Sequence, residues 1–453
     1  MNERPQLGDE LELQVLRPAA GGESVATGEY GTVFVTGTLP GETVRARITE
    51  IKPRFARAAT VEVLDAAAAR VPDRRVAWGA EGVGGVEFAH VDLATSRDLK
   101  AQAARDQLAR IGGIETELSV APAPLEATGG QDAGQAWRTR VQLAVRPDGR
   151  PGMYRAGTHD VVDVDRLPLA VGELDALGVQ HGVFPGVSRI ELAAGTGCGT
   201  IVATGRPSAQ ATAALRSIAE ASGFSLLVAS SHGRVAGAGR RQRGGKQVRA
   251  RRPKPGSDTA QGAITLGETT LLQRVAASDF RVSAQGFWQV HRDAAEVLSD
   301  RVLSRIDGTD SVLDLYCGAG LFSLRAAHEL GVPVIGLEGS ARAVEDARAN
   351  AQRLLGAGST GAEFGTARIE RLTELPGADT VIVDPPRAGL GQKVVDLISG
   401  TGAGRLLYVS CDPGTFARDA KNLLERGWRL ETVEGHDLFP LTAHVEFFSE
   451  FVR

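Results

Sequence analysis

Residues 311–324 read SVLDLYCGAGLFSL. A short apolar run carries one acid, Asp314, and stops at Gly318-Ala319-Gly320 before a second apolar stretch. A strand that ends in small residues and runs straight into a helix is a unit of an open α/β sheet. Small residues at that turn let the backbone approach a bound molecule closely. The unit repeats downstream: PVIGLEGS (333–340), then the helical pattern ARAVEDARANAQRLLGAG, then the apolar runs DTVIVDPP (379–386) and RLLYVSCDP (405–413). Strand–helix alternation with apolar strands predicts a parallel sheet covered on both faces, a Rossmann-like α/β domain. Ligands in such sheets sit at the carboxyl ends of the strands, where every conspicuous polar residue of this region lies.

Glu338 ends the second strand, 24 residues after Asp314. A carboxylate there can accept both ribose hydroxyls of a nucleoside. A dinucleotide would want a third glycine where Ser323 stands, and an acid beside the turn repels a pyrophosphate. The same acid suits the ammonium of S-adenosylmethionine, so that cofactor is expected. Asp384-Pro385-Pro386 ends a later strand and is followed by Arg387 rather than an aromatic residue, which argues against an exocyclic amine as methyl acceptor.

Cys411 stands at the mouth of the strand LLYVS, before Asp-Pro-Gly. A thiol at that end of a sheet faces the ligand crevice. The following helix, with Thr415 as cap, is expected to lower its pKa and favour thiolate. A thiolate beside a methyl donor suggests covalent activation of a pyrimidine: sulfur added at C6 makes C5 enolate-like, and a base then removes the C5 proton. Glu446, in the terminal apolar run HVEFFSEFVR, is the candidate base, its pKa raised by partial burial.

Upstream, ELELQVLRP, YGTVFVTGTL, ETVRARITEI and ATVEVLDA are four short runs of mostly alternating pattern, separated by Gly- or Pro-rich turns. They predict a small β-barrel over 1–66, which the resemblance given below makes OB-like. DLATSRDLKAQAARDQLARIG (92–112) predicts a helix capped at Asp92, Thr95 or Ser96, and WRTRVQLAVRPDGRPGMY a hairpin closed at Pro147-Asp148-Gly149. The chain is divided accordingly into the barrel, a central α+β domain (67–91 and 120–275) and the α/β domain (92–119 and 276–453).

With 453 residues, 42% apolar and 23% charged, the chain has the composition of a soluble multidomain protein. No apolar run reaches the ~18 residues of a membrane span, and no signal-peptide core opens the chain, so a cytoplasmic location is expected. Three cysteines (198, 317, 411) form neither a disulfide framework nor a zinc pattern. The net charge of −4 is unevenly spread: residues 221–257 hold no acid, and eight Lys and Arg crowd the Gly- and Pro-rich stretch 239–256. This reads as a loop that contacts phosphate.

TLPGETVRARI resembles the TRAM domain, an RNA-binding barrel. DLYCGAG, DPPRAGL, SCDPGTFARD and HVE together resemble the RNA uracil-C5 methyltransferase family, which makes 5-methyluridine in tRNA and large-subunit rRNA. The resemblance spans nearly the whole chain. It implies Cys411 as nucleophile and Glu446 as proton-abstracting base, with Gln289, Tyr316, Gly318, Glu338 and Asp384 at the S-adenosylmethionine site and RNA as partner. It implies neither a membrane nor an obligate protein partner, and makes Cys317 a packing residue. The chain also departs from the family. Many members carry an iron–sulfur site, but Val83 and Val86 stand where two of its cysteines would be and Ala77 lies upstream, so no cluster is expected. His291 and Leu321 replace asparagines found in other members. His291 is expected to be structural or RNA-facing, and Trp78, Trp137 and Trp288 to be core residues rather than base-stacking ones. Two other readings remain: cytosine-C5 methylation, whose enzymes place the nucleophile after Pro whereas Ser410 precedes Cys411, and a non-catalytic RNA-binding or assembly factor.

Overall fold

The computed structural model describes residues 5–28, 31–124, 134–229, 263–307 and 311–453; the basic stretch 239–256 lies outside them. At the N-terminal end, β1 (Glu10–Pro18), β2 (Glu23–Gly28), β3 (Gly31–Thr36), β4 (Thr43–Ile51) and β5 (Ala56–Asp65) close into a barrel in the order β1-β2-β3-β5-β4. Alternation along each strand sends Leu13, Val15, Val33, Val35, Val44, Ala46 and Ile48 into its interior. Four of these strands match the alternating runs. The fifth, β2, is ESVATG flanked by glycines; its composition reads as turn, and only its pairing with β1 and β3 makes it a strand. The Pro40-Gly41 turn aims Glu42 inward. Its fully buried carboxylate accepts bonds from the Leu39 and Ala67 amides and from Arg70 Nε and Nη2 at 2.6 and 2.7 Å. Burial pushes this carboxyl up, but Arg70 and the amides outweigh it, so its pKa lies below the usual range.

After the one-turn helix α1 (Arg74–Ala77), α2 (Leu93–Gln107) is capped by Asp92, whose side chain accepts from the Thr95 amide. β6 (Val120–Pro122) follows. The central sheet contains β7 (Arg140–Val145), β8 (Pro151–Tyr154), β9 (Val161–Val162), β10 (Val187–Gly195), β11 (Cys198–Gly205), β12 (Ser225–Ala229) and β13 (Ala263–Leu266), in the order β13-β12-β11-β10-β7-β8-β9. Helices α3 (Gly172–Asp175) and α4 (Ala209–Ser222) lie between its strands in sequence. The β7–β8 turn closes at Gly149, whose amide donates to Arg146 O. A separate ribbon, β14 (Thr270–Val275) and β15 (Ser278–Ser283), lies against it, and the Leu272 amide donates to Cys198 Sγ.

The C-terminal part contains α5 (Ala294–Leu303), β16 (Val312–Leu315), α6 (Leu321–Leu330), β17 (Val334–Glu338), α7 (Ala341–Leu355), β18 (Ala362–Thr366), β19 (Thr380–Val383), α8 (Gly391–Ser399), β20 (Arg405–Ser410), α9 (Pro413–Leu424), β21 (Arg429–Asp437) and β22 (Glu446–Val452). The sheet order is β18-β17-β16-β19-β20-β22-β21-β6. The first five strands are parallel, as the alternation predicts. β22 runs antiparallel to both β20 and β21, because a loop without a helix joins β21 to β22 and turns the chain back. One face of the sheet packs on α5, α6 and α7, the other on α2, α8 and α9. Among the described residues, no helix is long and apolar enough to cross a membrane.

Candidate active site

Register brings the site together. Leu315 lies opposite Leu337 and Val383, and Val383 lies opposite Tyr408. The carboxyl ends of β16, β17, β19 and β20 therefore form one crest carrying Tyr316, Glu338, Asp384 and Cys411. The turn after β16 is left-handed at Tyr316 (φ 64°), Gly318 (φ 55°) and Gly320 (φ 88°). A Cβ on Gly318 would meet nothing within 4 Å, so this glycine is required by its backbone angle and leaves open space beside it. The Tyr316 amide donates to Leu337 O, and its hydroxyl donates to Glu370 Oε1 at 3.1 Å. Glu338 accepts from the amides of Gly318 (3.3 Å) and Ser340 (2.7 Å), which fixes its carboxylate beside the turn.

Two acids here have raised pKa values, Asp314 fully buried and Asp384 partly exposed. Asp314 Oδ2 accepts from the Ser323 amide, while Oδ1 is buried and has no hydrogen-bond partner among the described residues. Burial, aided by Asp384 and Glu338 nearby, raises its pKa to about 7. Asp384 accepts from Gln289 Nε2 at 3.1 Å, and burial raises it to about 7 as well.

Cys411 and Glu446 each lie one residue beyond the Ser410–Phe447 pair of β20 and β22. Glu446 is 4% exposed, and burial together with Asp384 drives its pKa well above the ordinary value. Cys411 is half-buried, and its thiol is pushed up to about 12 by burial, then by Glu446 and Asp384. This runs against the expected helix-promoted thiolate: desolvation and crowded acids outweigh the helix N-terminus. The cap is Asp412, not Thr415; its Oδ1 accepts from the Thr415 amide at 2.8 Å, and Thr415 Oγ1 donates to Arg387 O.

Arg387 is the cation of this cluster. It acts against the rise at both Cys411 and Glu446, and its Nη2 lies 3.1 Å from His444 Nε2. The sequence reading used Arg387 only to exclude an amine target. Asp419 was also missed. It is buried in α9, accepts from the Leu390 and Gly391 amides and the Tyr408 hydroxyl, and so secures the segment after Asp-Pro-Pro. Its signal was the acid ending FARD, four residues into the buried face after Thr415. His291 is structural: it is buried, stacks on Trp137 at 5.5 Å and accepts from the Asp293 amide through Nδ1. Trp78, Trp137, Trp288, Leu321 and Cys317 are buried, and Val83 and Val86 pack with Trp78 in an apolar cluster.

Comparison with known proteins follows the same lines. The TRAM domain model matches residues 4–61, and that of tRNA (uracil-5-)-methyltransferases matches residues 280–449. An RNA methyltransferase of Streptomyces coelicolor is 34% identical over 97% of this chain and 92% of its own. A 23S rRNA (uracil(1939)-C(5))-methyltransferase of Alkalilimnicola ehrlichii is 30% identical over 98% and 96%. The chain belongs to the RNA uracil-C5 methyltransferase family. This RNA uracil-C5 methyltransferase shares its fold with the Pyrococcus abyssi tRNA (uracil-54, C5)-methyltransferase crystallised with S-adenosyl-L-homocysteine. The TM-score is 0.70 at 24% identity, over 97% of this chain and 99% of the other. The RNA uracil-C5 methyltransferases are S-adenosylmethionine-dependent enzymes, and the crest fits that cofactor: an unpartnered buried Asp314 oxygen, a fixed Glu338 carboxylate and an open space at Gly318 converge on it.

Proposed function

We propose that the protein methylates C5 of a uridine in a structured RNA, tRNA or rRNA, through a transient bond between Cys411 Sγ and uracil C6. The observation that carries this reading is that Cys411 and Glu446 each lie one residue beyond the Ser410–Phe447 pair of β20 and β22, close enough for the Glu446 charge to act on the thiol. Asp314, Tyr316, Gly318 and Glu338 would hold the cofactor, with Asp384 and its partner Gln289 closing the side nearest the thiol. S-adenosylmethionine, when bound, supplies an electrophilic methyl and a positive charge. Burial is the main reason the thiol stays neutral; a cation beside Asp384 would offset the part of the rise that comes from that acid, so ionisation of Cys411 would be favoured in an occupied site. The thiol would give up its proton to solvent, sulfur would add to C6 as the C5=C6 π electrons move to C5, and C5 would take the methyl as the methyl's bond to the sulfonium sulfur breaks. Glu446, once its own proton has passed to solvent, would take the C5 proton as a carboxylate; the C5=C6 bond reforms, and the C6–S electron pair returns to sulfur. The base is flipped out of its stack or already unpaired in a loop, because ring carbon C6 is inaccessible within a stem.

Fluorine at C5 cannot leave as a proton does, so 5-fluorouridine RNA with cofactor should trap a denaturation-resistant adduct, absent in Cys411→Ala. Glu446→Gln should methylate uridine RNA but release product about 10²- to 10⁴-fold more slowly. No adduct with wild-type protein, or normal turnover by Glu446→Gln, refutes the assignment.

A further inference from the structure

We infer that the loop of residues 438–445 is a strap that positions Glu446, fastened by Glu87, Lys100 and Leu441. This rests on the reading of Glu446 as the base. The loop has neither helix nor strand of its own and leads directly into Glu446, the first residue of β22. What holds it comes from outside the sheet. From α2, Lys100 forms an ion pair with Asp437 in which both side chains are fully buried, and its Nζ donates to Phe439 O at 3.0 Å. From the segment before α2, Glu87 Oε2 accepts from the Ala443 amide at 3.1 Å, and the Phe88 amide donates to Leu441 O at 3.0 Å.

Leu441 is the clearest sign of an imposed shape. Its backbone is left-handed, φ 65°, an arrangement that an L side chain rarely adopts. Its side chain is wholly buried in the cluster of Trp78, Val83 and Val86, which belongs to the central domain rather than to the sheet that carries Glu446. An unfavourable backbone angle persists when its surroundings over-determine it, and such angles concentrate where a group must be held in place. The barrel backs the same strap. A Cβ on Gly22 would lie 2.6 Å from Glu87 Cβ and 3.2 Å from Ala443 Cβ, so barrel, Glu87 and strap are in direct contact. Ala443 also packs with Leu39 of the barrel and with Phe88 and Leu99. Cys411 is set by β20 and α9, which carry none of these fastenings.

A loosened strap should therefore slow the step that needs Glu446 and spare the one that needs Cys411. The test is rapid quench with uridine RNA and with 5-fluorouridine RNA, on Leu441→Ala, Glu87→Gln and Leu441→Met. The first two should accumulate the methylated covalent complex with uridine RNA about fivefold or more above wild type. Their rate of adduct formation on 5-fluorouridine RNA should change less than about twofold. Leu441→Met, which keeps the buried volume, should restore the wild-type partition. Parallel loss of both steps, or an unchanged partition, overturns the strap. Failure of wild-type protein to form any adduct overturns the covalent reading itself, so the two failures are distinguishable.

Discussion

At the crest, burial sets protonation before any ligand arrives. Asp314 and Asp384 both titrate near 7 because they are desolvated, against an ordinary value of 3.8. The folded protein therefore holds protons there that the unfolded chain has released. The stability this contributes is complete below about pH 4 and is lost as pH rises through about 7. Cofactor binding has the opposite sign, since a cationic ligand prefers the ionised acids. S-adenosylmethionine should raise the melting temperature more at pH 8 than at pH 6, with affinity by calorimetry falling up to about tenfold per unit below 7. S-adenosylhomocysteine, which lacks the sulfonium, should show a shallower dependence. An equal shift at both pH values would remove these acids from the cofactor site. At this scale Cys411 and Glu446 were legible because each closes or opens an apolar strand, and the chemistry demanded one of each. The thiol's resting state was not legible, since it depends on acids from β19 and β22 converging on it. Lys100 and Asp437 lie 337 positions apart, and no local pattern links them.

The turn after β16 depends on backbone angle more than on side-chain contact. Gly318→Ala meets no steric neighbour, so its cost to folding should be only the left-handed penalty, about 1–2 kcal/mol. Its cost to cofactor affinity should be tenfold or more, because the methyl fills the open side of the turn. Thermal melts and titration calorimetry on one preparation separate the two; a loss of stability without loss of affinity would make this glycine merely structural. Elements whose side chains alternate or recur every turn were readable from sequence, as with the barrel strand β1, which coincides with ELELQVLRP. β2 was not, because ESVATG becomes a strand only between its two neighbours. The direction of β22 was not either, since an apolar run carries no sign of which way it will lie beside β20.

Across the molecule, Glu42 and Arg70 fasten the barrel to the segment that follows it. Arg70→Ala leaves a fully buried carboxylate short of its cation and should destabilise the protein by about 3–5 kcal/mol. Calorimetry should show the loss as an earlier, separate barrel transition; a single unshifted transition would mean that the barrel is held by other contacts. The far edge of the catalytic sheet is closed by an even longer reach. Val120 of β6 lies opposite Gly435 of β21, with the central sheet β7 to β13 and strands β16 to β20 of this sheet intervening along the chain. Closing so large a loop is entropically slow, so this edge is expected to zip up late in refolding. Until then β21 offers an unpaired margin to other molecules, and recovery of soluble enzyme from denaturant should fall as concentration rises. A fragment begun at residue 280 would keep that open margin permanently, and aggregation rather than lost chemistry would be its first defect.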